Sequence, residues 1–171
     1  METLKTKILP GFLFLMAALP FLFTSCTKEE TDLRDEITGQ YSYTVKIYME
    51  DGADLVYVGD QGNVGDITGT MRVTKNSGDP GVLDFYDGNI VMFHGTNVKD
   101  AGNAIVFDIP EQEAWIGPGN VQVVGYNYWD VNSSSYHGAF IYEDDSIEIA
   151  FTARIMDVGT GLVMILTAFR K

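Results

Sequence analysis

Cysteine is almost absent from this sequence, because Cys26 is the only one among 171 residues. A single thiol cannot form an internal disulfide, so none is predicted. The two histidines, His94 and His137, are too few to bind zinc through three or four ligands unless carboxylates join them. No metal centre and no bound cofactor are therefore predicted.

Basic residues are also scarce. Lysine and arginine together number 11 against 24 acidic residues, which gives a formal net charge of −13. A protein that binds nucleic acid needs basic surface to displace counterions from phosphates. The charge balance therefore predicts that nucleic acid is not a partner, and it disfavours adsorption of the chain to anionic lipid.

The motifs of common catalytic sites are missing as well. The sequence contains no G-x-S-x-G, no H-E-x-x-H and no phosphate-binding glycine loop. The neighbouring carboxylates of Glu143, Asp144 and Asp145 fall in a predicted turn, where solvent exposure explains them better than acid-base catalysis. The sequence therefore predicts a protein that is not an enzyme.

The chain begins with two lysines followed by an uncharged apolar run from Ile8 to Phe23. A basic segment before a short apolar segment is the pattern of a secretory signal. The run contains Pro10 and Pro20, and it is shorter than the roughly 20 apolar residues of a membrane-spanning helix. Residues 1–25 are therefore predicted to be a signal peptide.

The signal ends in Phe23-Thr24-Ser25-Cys26, which resembles a bacterial lipobox, although Phe23 stands where leucine is usual. In a lipobox, small residues precede a cysteine that becomes the new N-terminus and carries a diacylglycerol on its sulfur. Two or more acyl chains such as palmitate, at about 0.8 kcal/mol per buried CH₂, hold a protein stably on a membrane. Cys26 is therefore the predicted lipidation site, and the membrane is a predicted partner.

The residues after the cysteine carry a second signal. Lys28-Glu29-Glu30 resembles the lysine and acidic pair that directs lipoproteins of the Bacteroidota to the cell surface. This resemblance implies a lipid-anchored location on the outer membrane, with the domain at the cell surface. A solvated charged tether is the alternative reading of the same residues. Residues 26–36 are polar throughout most of their length and are predicted to be an acidic flexible tether.

From Ile37 onward the dominant hydrophobic period is two, which is typical of strands with one buried face. Clusters of glycine, asparagine, aspartate and proline separate about nine or ten candidate strands. Residues 37–171 are therefore predicted to form one all-β domain, a small antiparallel meander barrel of about 8–10 strands, with a β-sandwich as the alternative. The segment PEQEAWIG, which begins at Pro110, is the one stretch with helical features.

The combination of a lipoprotein signal, an ITGQY first strand and the segment YHGAF from Tyr136 to Phe140 resembles the calycin-like and lipocalin-like lipoproteins of the Bacteroidota. The resemblance implies a barrel that often carries a small apolar ligand. A barrel of about eight strands either holds one such ligand or is filled by its own side chains. The residues predicted to face the interior are Tyr41, Tyr43, Val45, Met71, Phe151 and Leu166.

Three functions remain open from the sequence. The first is a barrel that binds a small apolar ligand or acts as a scaffold. The second is a protein-interaction module, either an inhibitor of an exported enzyme or an accessory subunit of a surface uptake assembly. The third is glycan binding by exposed aromatic residues, for which cross-strand packing is the alternative explanation. These aromatic residues are Tyr126, Tyr128, Trp129 and Tyr136.

The last strand, LVMILTAF, is apolar on both faces. A barrel strand whose outer face is wet would alternate apolar with polar residues. We therefore expect its outer face to be covered by the segment around Trp115, by a second sheet or by another subunit, which would make the protein a homo-oligomer.

Overall fold

The computed structural model describes residues 31–59, 65–116, 119–154 and 161–171. The predicted signal peptide, the lipidation site Cys26 and the export signal Lys28-Glu29-Glu30 lie outside these ranges. Within the described ranges, no helix is long and apolar enough to cross a membrane. The residues from Asp32 onward form one compact unit.

The described residues form one helical turn and thirteen strands. The turn is α1 (Arg34–Ile37). The strands are β1 (Gly39–Asp51), β2 (Asp54–Tyr57), β3 (Ile67–Lys75), β4 (Leu83–Asp87), β5 (Ile90–Asp100), β6 (Ala104–Asp108), β7 (Gln112–Ile116), β8 (Gly119–Gly125), β9 (Trp129–Val131), β10 (Ser134–Tyr136), β11 (Gly138–Ile141), β12 (Ser146–Arg154) and β13 (Gly161–Arg170).

Eight of these strands close into an antiparallel barrel. In chain order they are β1, β3, β4, β5, β6, β11, β12 and β13, and each pairs with the next. The ring closes where β13 pairs with β1, with Val45 opposite Leu166. Closure leaves none of the eight strands as an edge of the barrel wall. The predicted small antiparallel barrel is confirmed, and the sandwich alternative is not formed.

The wall between β5 and β12 is composite. Strands β6 and β11 fill one half of it, and β11 pairs with β12 from Ser146 to Ile149. The hairpin of β7 and β8 fills the other half, where β8 pairs with β12 from Phe151 to Arg154. On the β5 side, the Gln112 amide holds the backbone N–H and carbonyl of His94 at 2.7 and 2.9 Å.

The segment PEQEAWIG is therefore not helical, which corrects the sequence interpretation. It forms β7, in which Ala114 and Ile116 are buried and Glu113 is exposed. This alternation has period two, and pairing with β8 satisfies the backbone groups of the segment. A stretch this short gains more from that pairing and burial than from an isolated helical turn.

His137 joins the two halves of the composite wall. Its backbone N–H donates to the carbonyl of Phe107 at 3.2 Å, and its carbonyl accepts from the N–H of Ala150 at 2.8 Å. Its ring nitrogen Nδ1 accepts the N–H of Ile109 at 3.0 Å, so the neutral ring carries its proton on Nε2. Asp108 Oδ1 lies 3.6 Å from the same Nδ1, too far for a hydrogen bond.

Glycines inside the strands make room for aromatic rings in the barrel interior. Gly138 lies against Phe107, where a Cβ would come within 2.5 Å of the ring. Gly69 lies opposite Tyr43 in the pairing of β1 with β3, and a Cβ there would come within 2.7 Å of the phenol. Alternation of small and large residues in this way allows a small barrel to pack without voids.

The residues before β1 are fixed to the barrel. Arg34 forms a two-pronged pair with Asp32, with Nε to Oδ1 at 2.9 Å and Nη2 to Oδ2 at 2.6 Å. Lys75 on β3 contacts Asp35 at 2.5 Å, and Ile37 is buried in the core. The part of the predicted tether from Asp32 to Glu36 is thus held by ion pairs and by α1.

Candidate functional site

The barrel interior is filled by the protein's own side chains. All six residues predicted to face the interior are buried, and they belong to one hydrophobic cluster with Phe85, Phe93 and Phe107. The centre of the Phe85 ring lies 4.8 Å from that of Phe93 and 5.7 Å from that of Phe107. The large aromatic volume at these positions fills the space that an apolar ligand would take.

The two buried tyrosines of β1 find their hydrogen-bond partners within the protein. Tyr41 donates its hydroxyl proton to the carbonyl of Ile37 at 2.7 Å and accepts from Arg170 at 2.9 Å. Tyr43 donates to Asp87 Oδ2 at 3.3 Å. Burial, assisted by the charge of Asp87, raises the pKa of Tyr43 to about 12. These hydroxyls therefore need no ligand to satisfy them.

A groove of about 480 Å³ lies on the outer face of β1, β13 and β12. The strand register explains its floor, because Thr44 lies opposite Thr167, which in turn lies opposite Glu148. In the next row Lys46 lies opposite Ile165. The lining residues are Thr44, Lys46, Tyr48, Asp66, Tyr128, Glu148, Ile165, Thr167 and Phe169.

Tyr128 forms one wall of this groove. Burial raises the pKa of Tyr128, with smaller contributions from Glu148 on β12 and Tyr48 on β1. Tyr128 lines the same groove as Glu148 on β12 and Tyr48 on β1, and β13 lies between these two strands. The outward-facing Val163 of β13 is fully buried. The outer face of the last strand is therefore covered at Val163, whereas Ile165 and Phe169 line the groove. Cover by the segment around Trp115, by a second sheet or by another subunit stays a prediction.

Glu148 is the least satisfied charged group of the groove. Within the described part of the chain, no hydrogen bond or ion pair reaches its carboxylate. Burial raises the pKa of Glu148, and the nearby charge of Asp144 raises it further. Lys46, the groove's cation, lies 5.8 Å from the centre of the Tyr57 ring. The carboxylate is thus positioned to accept hydrogen bonds from a bound molecule.

Two aromatic rings of the groove are open to solvent. Phe169 is 55 % exposed and Tyr128 is 42 % exposed. Of the four aromatic residues singled out from the sequence, Tyr128 alone lines the groove. Trp129 and Tyr136 lie opposite each other in the small sheet of β9 and β10, and they pack against Ala104, Val106 and Ala139. For these two residues, cross-strand packing is the better explanation.

A second polar cluster surrounds Asp84 on β4. Asp84 is 5 % exposed, and its carboxylate accepts from Asn76 Nδ2 at 3.0 Å and from His94 Nδ1 at 2.7 Å. A carboxylate on Nδ1 orients an imidazole, as it does in many metal sites and catalytic triads. Among the described residues, however, no hydroxyl is hydrogen-bonded to His94, and no group of three candidate metal ligands is present.

The Asp84 cluster is explained by the chain connection that it holds. Asn76 Oδ1 accepts the backbone N–H groups of Gly78 and Asp79 at 2.8 and 2.9 Å, which fixes the turn between β3 and β4. The same side chain donates to Asp84, so the turn, β4 and β5 are tied together. This cluster stabilises the barrel wall.

The sequence could not identify the groove, although it placed most of the strands. The even-numbered residues of β1 are an outer face by periodicity, but their neighbours depend on pairing with strands more than 100 residues away. The wall formed by Tyr128 belongs to a connection whose path the periodicity does not predict. Comparison with protein-family models gives no match for this chain, and comparison with curated proteins gives no significant match.

Proposed function

We propose that this chain is a non-enzymatic, lipid-anchored binding protein outside the cytoplasm, and that its β-barrel binds through the outer face. The observation that carries this proposal is the contrast between the two faces of one strand. The inward residues of β13, including Leu166 and Ala168, are buried in a filled core, whereas Ile165 and Phe169 face an open groove. Because the interior of the barrel is filled, a ligand would bind to its outer surface.

The proposed anchor is the lipid on Cys26, and the proposed location is the outer membrane with the barrel at the cell surface. Support comes from the apolar run of residues 8–23, from the lipobox-like residues that end in the chain's one cysteine, and from Lys28-Glu29-Glu30. We expect a Cys26→Ser variant to leave the membrane fraction of its host, while Ser25→Ala stays there. Sedimentation of Cys26→Ser with membranes would remove the anchor from the proposal.

Binding through the outer face implies that no apolar molecule co-purifies inside the barrel. We expect native mass spectrometry of protein purified from its own host to show the polypeptide and its lipid anchor without an apolar molecule inside. A barrel that releases a bound apolar molecule only on unfolding would favour the ligand-carrier function instead, because such retention requires an enclosed interior.

The second candidate function is a protein-interaction module. The observation in its favour is an exposed apolar pair, Met49 on β1 and Val56 on β2, which lie opposite each other and are 50 % and 40 % exposed. Exposed apolar patches often mark contacts with other proteins. A photo-crosslinking residue at position 56 would test it. Adducts from position 56 but not from the exposed Tyr142 would support a partner or a second copy of the chain.

A further inference from the structure

We propose that the outer-face groove binds a neutral oligosaccharide. This inference rests on the proposed function, because it names the ligand class for the same outer face. The groove, at about 480 Å³, has the size of a small-molecule site and is too small to be by itself the contact area of a stable protein complex. Its lining decides which class of small molecule fits.

An apolar ligand does not fit this lining. It would cover the carboxylates of Glu148 and Asp66 and the ammonium group of Lys46 without offering them a hydrogen bond. Burial of charged groups without partners is strongly unfavourable. Glu148 already lacks a partner among the described residues, so further desolvation would be especially unfavourable.

An anionic ligand does not fit it either. Among the described residues, two carboxylates and one ammonium group line the groove, so the charge that they give it is negative. The whole chain adds a net charge of −13, which repels phosphates, sulfates and uronic acids over the distance of the Debye length. A cationic ligand would offer no acceptor to the ammonium group of Lys46, so the ligand class that fits all three charged groups is neutral and rich in hydroxyl groups.

Sugar hydroxyls match the polar residues of the groove. A hydroxyl group both donates and accepts, so it can donate to Glu148 and Asp66 and accept from Lys46. Thr44 and Thr167 lie side by side on the floor and offer further hydroxyls of their own. Hydrogen bonds to a charged group are stronger than those between neutral groups, so they can orient a sugar.

The exposed rings match the apolar faces of sugar units. Phe169 and Tyr128 present aromatic surface to solvent, and Phe169 lies opposite Ser42 in the pairing of β13 with β1. Along β13 the lining extends from Ile165 to Phe169, and at about 3.3 Å per residue this separation is roughly 13 Å. The site is therefore elongated along β13, which favours a chain of sugar units over a monosaccharide.

The test is a binding assay with defined neutral glycans. Isothermal titration with maltohexaose, cellohexaose, xylohexaose and mannohexaose would use the complete mature domain. We expect at least one of the four to bind, and we expect Phe169→Ala and Tyr128→Ala each to weaken that binding at least tenfold. Tyr142→Ala is the matched control, because this exposed tyrosine lies outside the groove and its loss should leave binding unchanged.

The outcomes separate the ligand class from the location of the site. Binding of none of the four glycans, or equal weakening by Tyr142→Ala, overturns the oligosaccharide proposal. A photo-crosslinking residue at position 169 then tests the outer face itself in the native host. A protein adduct at this position overturns the sugar proposal and leaves outer-face binding standing, whereas the absence of any adduct, together with absent glycan binding, overturns both. Thermal unfolding of each variant shows that it is folded.

Discussion

At the scale of single residues, the barrel depends on glycines whose missing side chains leave space for aromatic rings. Gly138 against Phe107 and Gly69 against Tyr43 are the clearest cases. Neither glycine has the positive φ that a turn would require, and both lie within strands. Their role is close approach, for which any Cβ is too large.

Substitution of Gly138 tests this packing directly. We expect Gly138→Ala to lower the free energy of unfolding by about 1–3 kcal/mol, because its Cβ would overlap the Phe107 ring in a filled core. Urea unfolding measures the change. Gly119→Ala is the matched control, since nothing lies within 4 Å of its added Cβ and we expect little change there. Equal effects of the two substitutions would contradict the packing argument.

Glu148 gives a prediction about pH. Its pKa is raised by burial, so its folded state favours the protonated form, and its contribution to stability is present at acid pH and lost as the pH rises through the raised pKa. We therefore expect Glu148→Gln to be more stable than the wild type at pH 7. The difference in melting temperature should shrink towards pH 4, and a difference that grows on acidification would contradict the prediction.

The sequence predicts which face of a strand a residue occupies. Alternation alone predicted inward positions for Tyr41 and Tyr43, and both are buried. Periodicity gives the face of a residue but not its neighbour, so it could not indicate that Tyr43 contacts Gly69 or Asp87. Glycine in a sequence is most readily interpreted as a turn signal, which hides its use inside a strand.

At the scale of elements, the composite wall depends on the side chain of His137. We expect His137→Ala to lower the free energy of unfolding by about 1–3 kcal/mol, because the N–H of Ile109 loses its acceptor in a partly buried place. Hydrogen exchange at Ile109 should become faster. Asp108→Asn should leave that exchange rate unchanged, since Asp108 is too far from the ring for a hydrogen bond.

The attachment of α1 responds to acid. The hydrogen bonds and charge of Arg34 hold the pKa of Asp32 well below its usual range. A lowered pKa stabilises the fold above the unfolded-state value near 3.8, and this contribution is lost as the pH falls towards the folded-state pKa. We expect Asp32→Asn to reduce the melting temperature at pH 6 and to reduce it less at pH 2, where the contribution is only partly lost. The exposed Asp54→Asn in β2 should change neither value.

Element boundaries show why one prediction was wrong. Pro110 followed by Glu111 and Glu113 has the composition of a helix start, which led to the helical interpretation of PEQEAWIG. The decisive interaction is the pairing of Gln112–Ile116 with β8, and it involves a partner that local composition does not reveal. Long alternating runs such as Gly39–Asp51 were found because their period repeats over many residues.

At the scale of the whole molecule, the fold is held by the pairing of its first and last long strands. Strand β13 pairs with β1 on one side and with β12 on the other. We expect deletion of residues 161–171 to prevent folding, because it opens the barrel and exposes both neighbouring edges. Circular dichroism and the dispersion of amide NMR signals would measure this. Deletion of Lys171 alone, which removes one backbone hydrogen bond to Gln40, should leave a folded barrel.

Fold class was predictable at this scale because evenly spaced turn signals and a constant period of two leave few architectures. The groove was not predictable, because it arises where three strands and the side chain of Tyr128 meet. Glu148, Thr167 and Thr44 are separated by many residues in the chain and become one row only after the barrel closes.

Closure through β1 and β13 also brings the two ends of the folded domain to the same rim, where the N–H of Lys171 donates to Gln40 at 2.9 Å. The order of strands around the ring therefore does not depend on where the polypeptide begins. A short linker from Lys171 to Asp32, with new ends cut into the exposed Gly88 turn between β4 and β5, would give a circular permutant with every strand pair retained.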